Sequence, residues 1–214
     1  MIEAMDAQFA AITAQLERLG MWEDTLVLFV ADHGDMMGGH GISKKGTLPY
    51  DELYRVPCIL KLPEAQSFKR NVIDDVVSSV QLAGSLLRLA GLPPENAFHH
   101  GDLCESLDTQ APQSGQCAFF EHYGAYWGGQ PFYGVRTAEW KWIRYFGEAN
   151  CEEMYHLATD PHELKNVAGS AEVAGIQAEL ANTADQWWLQ TGGRDVAYYE
   201  SDSFRRNEHN RETT

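Results

Sequence analysis

Residues 25–57 read TLVLFVADHGDMMGGHGISKKGTLPYDELYRVP. The first seven, Thr25 to Ala31, form an apolar, β-branched run with no alternation. Such a strand is covered on both faces, which places it inside an α/β sheet, usually a parallel one. The run then breaks into a polar loop with four glycines between Gly34 and Gly41. In open α/β sheets, ligands sit beyond the carboxyl ends of the strands, so this loop occupies the place where such a fold keeps its chemistry. Upstream, Met5, Phe9, Ile12, Leu16 and Leu19 recur at steps of four and three, the signature of an amphipathic helix over 3–19. Gly20 follows, where a left-handed helix cap is wanted. Helix, short loop and buried strand make half of a βαβ unit.

Downstream, Pro57 to Leu62 reads as a further strand ended by Pro63. Val76, Val80, Ala83, Leu86, Leu87 and Ala90 predict a helix within 72–90, closed by Gly91, with Pro93 and Pro94 forbidding continuation. The stretch 108–116 (DTQAPQSGQ) is polar and marks a sub-domain boundary. Beyond it, 117–123, 132–137, 140–146 and 153–157 are short aromatic-rich runs between turns, which predict antiparallel strands. Asp160-Pro161-His162-Glu163 has the grammar of a helix start. Val173, Ile176, Leu180, Ala184 and Trp187 predict a last helix, and the polar end from Ser201 is expected to fray. The expected organisation is an α/β part over 1–110 carrying the ligand loop at 32–57, an antiparallel-sheet part with a terminal helix over 111–200, and a tail over 201–214.

Composition bounds the function. The chain has 214 residues, 44% hydrophobic and 22% charged, as in a globular protein rather than a disordered one. Sixteen basic against 31 acidic side chains give a net charge of −15. That argues against a nucleic-acid backbone as partner, and any anion site must be built from local cations. No apolar run is long enough for a membrane span, and the acidic amphipathic segment after Met1 is not a signal peptide. Cys58, Cys104, Cys117 and Cys151 show neither C-x-x-C nor zinc spacing and read as free thiols.

Asp32 and His33 end the early strand, where a rigid element can hold a carboxylate and an imidazole beside a loop. Both are ligands for a divalent cation, and the carboxylate favours a hard one. The plainer alternative is a turn aspartate capping nearby N–H groups beside a half-exposed histidine. Lys44 and Lys45 can hold a doubly charged oxyanion near such a metal, or can simply be solvated. His40 can donate to an oxyanion or protonate a leaving group, or be a loop histidine without a role. Trp140, Trp142, Trp187 and Trp188 read as core, while His122 and Trp127, in HYGAYWGGQPF, are candidates for a substrate-facing wall.

Taken together, Asp32-His33-Gly34, the glycine-bearing loop, Lys45-Gly46 and then Tyr50, Asp51, Glu52, Arg55 and Pro57 resemble the type I sulfatase family of the alkaline-phosphatase-like superfamily. VRTAEWKWIRYF and EEMYHLATDPHELKNVA are similar to its C-terminal part, and 76–107 is similar to its leucine-rich helical segment, with Gln81 and Ala83 where Asp and Pro are more usual. The resemblance covers about residues 5 to 190. It implies an α/β sulfatase sandwich, here a truncated, mostly parallel sheet with helices, followed by a small antiparallel sheet packed with a helix. It implies a divalent metal, calcium first with manganese or magnesium as alternatives, bound by Asp32 and His33. Lys45, with Lys44 as alternate, would hold the sulfate of a sulfated carbohydrate or an aryl or alkyl sulfate, with His40 as a proton donor.

The family's nucleophile is a formylglycine made in a C-x-P-S-R or similar motif, and none of the four cysteines stands in one. The early aspartate pair of the family's metal site has no counterpart either. The chain therefore reads as the C-terminal portion of a sulfatase, its partner being the N-terminal half, and it is expected to be inactive alone. Phosphonate or phosphate ester hydrolysis within the superfamily, or a non-catalytic remnant, are the alternatives. The early strand, deprived of neighbours, is expected to leave apolar surface beside it and to favour self-association.

Overall fold

A computed structural model describes residues 2–43, 45–92, 103–109, 116–122, 131–146, 151–194 and 202. Lys44 and Trp127, the tail over 203–214 and Pro93 and Pro94 lie outside the described residues.

The first helix, α1 (Ile2–Arg18), follows the apolar stripe and ends at Gly20, whose φ of +67° is left-handed. Phe9 meets Phe29 of strand β1 (Val27–Val30) edge-on, with ring centroids 5.6 Å apart. Among the described residues β1 has one partner, β2 (Cys58–Lys61), and the pair is antiparallel, with Val27 opposite Lys61 and Val30 opposite Cys58. The strand read from its composition as covered on both faces and parallel is thus partly buried and antiparallel where it is described. A loop through α2 (Asp51–Tyr54) returns the chain beside β1 rather than over a crossover helix. No residue of α1 is buried, and Ile2, Met5, Ile12, Val30 and Ile59 stand exposed. A two-stranded ribbon is not stable on its own, so this apolar surface favours association. Ile59→Lys is expected to lower light scattering and the binding of a hydrophobic dye by the purified chain without shifting its unfolding midpoint. Equal scattering in the two proteins would remove this face as the cause.

The helix predicted within 72–90 begins late, as α3 (Gln81–Leu89). Before it, Arg70 pairs with Asp75 at 2.6 Å and the Ser78 N–H donates to Gln81 Oε1 at 2.9 Å. Side chains satisfy the backbone there in turns, so helical spacing alone does not carry the helix upstream. A short α4 (Cys104–Asp108) follows.

The second half is a four-stranded antiparallel meander: β3 (Ala118–His122), β4 (Phe132–Arg136), β5 (Trp140–Tyr145) and β6 (Glu152–His156), in sequence order. Alternation sorts its side chains into two faces. Tyr133, Val135, Trp142 and Met154 face α5 (Ala174–Gln190) and pack with Leu180, Ala184 and Trp188. Phe132, Ile143 and Tyr155 face the other way and pack with Tyr50. Both faces are covered, which explains aromatic strands with little polar alternation. Trp142 and Trp188 are buried and Trp140 and Trp187 pack against them, as core tryptophans do. The helix start expected at Asp160 is instead a turn: the Asp160 carboxylate accepts the N–H groups of Leu164 and Lys165, at 3.1 and 2.8 Å. Glu163 there has a left-handed φ of +55°, which no helix allows. All four cysteines are free. No helix among the described residues is long and apolar enough to cross a membrane.

Candidate active site

The loop after β1 is fastened at three places. At its foot the Gly34 N–H donates to Leu53 O at 2.8 Å, and the strand end lies so close to α2 that a Cβ on Gly34 would meet Glu52 O at 1.8 Å. In the middle, His40 stacks on Tyr50 with ring centroids 3.8 Å apart and planes at 13°. Tyr50 in turn packs edge-on against Tyr155 of β6 at 6.3 Å, and burial raises its phenol pKa. At the far end, Asp51 enters an ionic cluster on the sheet.

That cluster was not foreseen from the sequence. Lys141 projects from β5 on the face that carries Phe132 and is 1% exposed. Its Nζ reaches Pro49 O at 3.1 Å, Asp51 Oδ1 at 2.5 Å and Glu163 Oε1 at 2.5 Å. The Asp51 N–H donates to Glu163 Oε2 at 2.7 Å, and Arg136 grips the Asp51 carboxylate at 3.1 Å. Burial pushes the Asp51 carboxyl up, but Lys141 and Arg136 outweigh it and hold its pKa below the usual 3.8. For Glu163 burial wins over the Lys141 charge, and its pKa is raised above 4.5. The sheet therefore grips the loop from behind by two carboxylates shared on one ammonium.

At the carboxyl end of β1 the two candidate ligands sit together. Asp32 Oδ1 accepts the His33 N–H at 2.9 Å, and this bond above all holds the exposed carboxyl below 3.8. His33 Nδ1 lies 2.7 Å from Gly34 O. A carbonyl only accepts, so Nδ1 carries the hydrogen, and the lone pair of the neutral ring is on Nε2. Nε2 is 3.6 Å from Asp32 Oδ2 and 3.3 Å from Lys45 Nζ. Carboxylate, imidazole lone pair and ammonium thus converge on one exposed spot. His40 lies outside this trio and is held by Tyr50. Its Nε2 and the Glu52 Oε2 are out of solvent without a hydrogen-bond partner among the described residues. His122 ends β3 with its ring 5.6 Å from that of Phe132.

One oxygen and one nitrogen with an outward lone pair fit a divalent cation in kind. They are part of a shell and not all of it: calcium takes about six to eight oxygen ligands. Among the described residues there is no group of three or more His, Cys, Asp or Glu placed to hold a metal.

The strand-end loop seated on a small antiparallel sheet has the alkaline-phosphatase-like fold. The chain belongs to the family of the N-sulphoglucosamine sulphohydrolase C-terminal region, whose model matches residues 38–189. It is similar to the N-acetylglucosamine-6-O-sulfatase of Bacteroides thetaiotaomicron, 27% identical over 208 residues, covering 94% of this chain and 37% of that protein. Arylsulfatase K of Rattus norvegicus is 30% identical over 175 residues, 76% of this chain and 30% of that one. Among solved structures, the phosphonate monoester hydrolase of Agrobacterium radiobacter superposes with a TM-score of 0.71 at 26% identity, over 86% of this chain and 38% of that one. The chain spans about a third of the length of the curated relatives it matches. Homologous sulfatases generally use a divalent metal.

Proposed function

We propose that this chain is the C-terminal portion of a sulfate-ester hydrolase and contributes the cation- and sulfate-holding loop. Asp32 and His33 supply two ligands to a divalent cation, calcium by preference because the exposed carboxylate is a hard donor. Lys45, with Lys44 beside it in sequence, holds the sulfate oxygens. The bound cation would add Lewis-acid polarisation of those oxygens. His33 presents its Nε2 lone pair because Gly34 O fixes the tautomer, and Asp32 keeps its negative charge through the His33 N–H. The observation that carries the reading is the approach of Lys45 Nζ to His33 Nε2 at 3.3 Å, which gathers both charge types in one place. A sulfated sugar is the favoured substrate class, since the first relative named above is a sulfatase of N-acetylglucosamine. The likeness to a phosphonate monoester hydrolase keeps phosphonate and phosphate monoesters as the second reading.

With no cysteine in a C-x-P-S-R motif, the loop positions an anion but holds no nucleophile of the formylglycine kind. The purified chain is expected to bind calcium by titration calorimetry, with Asp32→Ala weakening binding about tenfold or more. It is expected to bind N-acetylglucosamine-6-sulfate more tightly than a methylphosphonate monoester, and to give no turnover of an aryl sulfate. Calcium binding that Asp32→Ala leaves intact would overturn the ligand assignment. Preference for the phosphonate would select the second reading.

A further inference from the structure

His33 has two ring nitrogens and both are engaged. Nδ1 donates to Gly34 O at 2.7 Å. Nε2 holds the ring's lone pair, and it is met by the Lys45 ammonium at 3.3 Å while standing 3.6 Å from Asp32 Oδ2. A lone pair serves one electrophile at a time. The ammonium therefore sits on the nitrogen that a divalent cation would coordinate, beside the carboxylate that would share it. Lys45 is exposed and on a flexible stem, so it can leave without disturbing the fold.

We propose that Lys45 is a built-in counter-cation of the Asp32–His33 pair: it must let go of His33 Nε2 before a divalent cation is bound there, and an anion that draws the ammonium away opens that nitrogen. This inference rests on the reading of Asp32 and His33 as metal ligands. Two linked consequences follow. Lys45 competes with the cation, so removing it tightens cation binding. An anion that captures Lys45 relieves the competition, so cation and oxyanion bind with positive cooperativity, and by linkage the effect is equal in both directions.

The test is calorimetric titration of the full chain with calcium chloride at constant ionic strength, with and without inorganic sulfate. Lys45→Met is compared with Lys69→Met, which removes the same charge from an exposed lysine outside the loop, and with Asp32→Ala and His33→Ala. Lys45→Met should tighten calcium binding about three- to tenfold, the net value of one ordinary hydrogen bond. Lys69→Met should change it less than about twofold. Sulfate should tighten calcium binding in the wild type and not in Lys45→Met. A second readout follows the amine itself: acetylation of Lys45, scored by mass spectrometry, should quicken when calcium is added. The inference is overturned if Lys45→Met binds calcium no tighter than the wild type, or if Lys69→Met gains as much, which would reduce the effect to net charge. Loss of binding in Asp32→Ala and His33→Ala alongside either result leaves the metal site standing without the competition. Unchanged calcium binding in those two variants, or none in the wild type, removes the metal site and the inference with it.

Discussion

Lys141→Ala is expected to lower the free energy of unfolding by about 3–5 kcal/mol, the cost of breaking a buried ion pair from one side. The side chain is 1% exposed and stands between the carboxylates of Asp51 and Glu163, with Pro49 O as a third acceptor. Its removal leaves two carboxylates sharing a pocket in which the Glu163 side chain has no solvent contact. Domains of this size are stable by about 5–15 kcal/mol, so the loss would be a large share of the whole. Urea unfolding followed by tryptophan fluorescence reads it directly, since Trp142 neighbours Lys141 on β5. A loss below about 1 kcal/mol would show that Arg136 alone secures Asp51.

The same cluster sets a pH dependence whose sign differs between its two acids. Asp51 has a folded pKa below its ordinary 3.8, so its contribution is complete above pH 3.8 and is lost as pH falls through the folded value. Glu163 has a folded pKa above 4.5, so its contribution is complete below pH 4.5 and is lost as pH rises through the folded value. Between neutral pH and about 4.5 Glu163 favours acidification, and below 3.8 Asp51 opposes it. In Asp51→Asn the fall in stability below pH 3.8 should be shallower than in the wild type. An unaltered acid limb would assign it to other carboxylates, of which Glu152, held low by Arg144, Gln177 and Trp142 against burial, is the first candidate.

How far the sequence reached follows from the range of each interaction. Local periodicity and turn residues located α1 and all four strands of the meander to within a residue or two, and α5 to within three, because stripe, alternation and flanking turns are written in adjacent positions. The Asp32-His33 pair and Lys45 were visible as residue types in a loop, and the motif around them drew the family likeness. The Asp51–Lys141 and Asp51–Glu163 contacts span 90 and 112 residues, and no local pattern announces them. One hint was present: a lysine between two tryptophans in Trp140-Lys141-Trp142 is a charge in a strand with both faces covered, and such a charge needs a partner. The parallel strand expected at 25–31 failed for the complementary reason. Composition reports how much of a strand is covered, whereas direction depends on the path of the connection, and here the chain comes back through α2. The helix at 72–90 was read too long because apolar spacing ignores the local bonds that Arg70, Asp75, Ser78 and Gln81 make instead.

Gly34→Ala should damage the ligand loop most while sparing the sheet. A Cβ at this position would lie 1.8 Å from Glu52 O and 2.9 Å from Glu52 C, both backbone atoms that no rotamer change can move aside. The strand end and α2 would have to separate, breaking the Gly34 N–H bond to Leu53 O. The consequence falls on the neighbours. His33 owes its tautomer to Gly34 O, and Asp32 owes its low pKa first to the His33 N–H, so a shift of Gly34 disturbs both donors at once. A displacement of about 1 Å is enough to cost on the order of a hundredfold where geometry is fixed for binding or chemistry. Calcium affinity is expected to fall about tenfold or more, comparable with loss of a ligand, although neither ligand has been touched. The core of Tyr133, Trp142, Met154 and Trp188 lies on the far face of the sheet, so the main unfolding transition should move far less than in Lys141→Ala. The two substitutions thus separate the two jobs of the structure: Lys141 holds the loop onto the sheet, and Gly34 lets the strand end close enough to α2 for Asp32 and His33 to face one point. If Gly34→Ala bound calcium as the wild type does, the close approach would be incidental to the site, and the geometry at the end of β1 would have to be set from the Lys45 side of the loop instead.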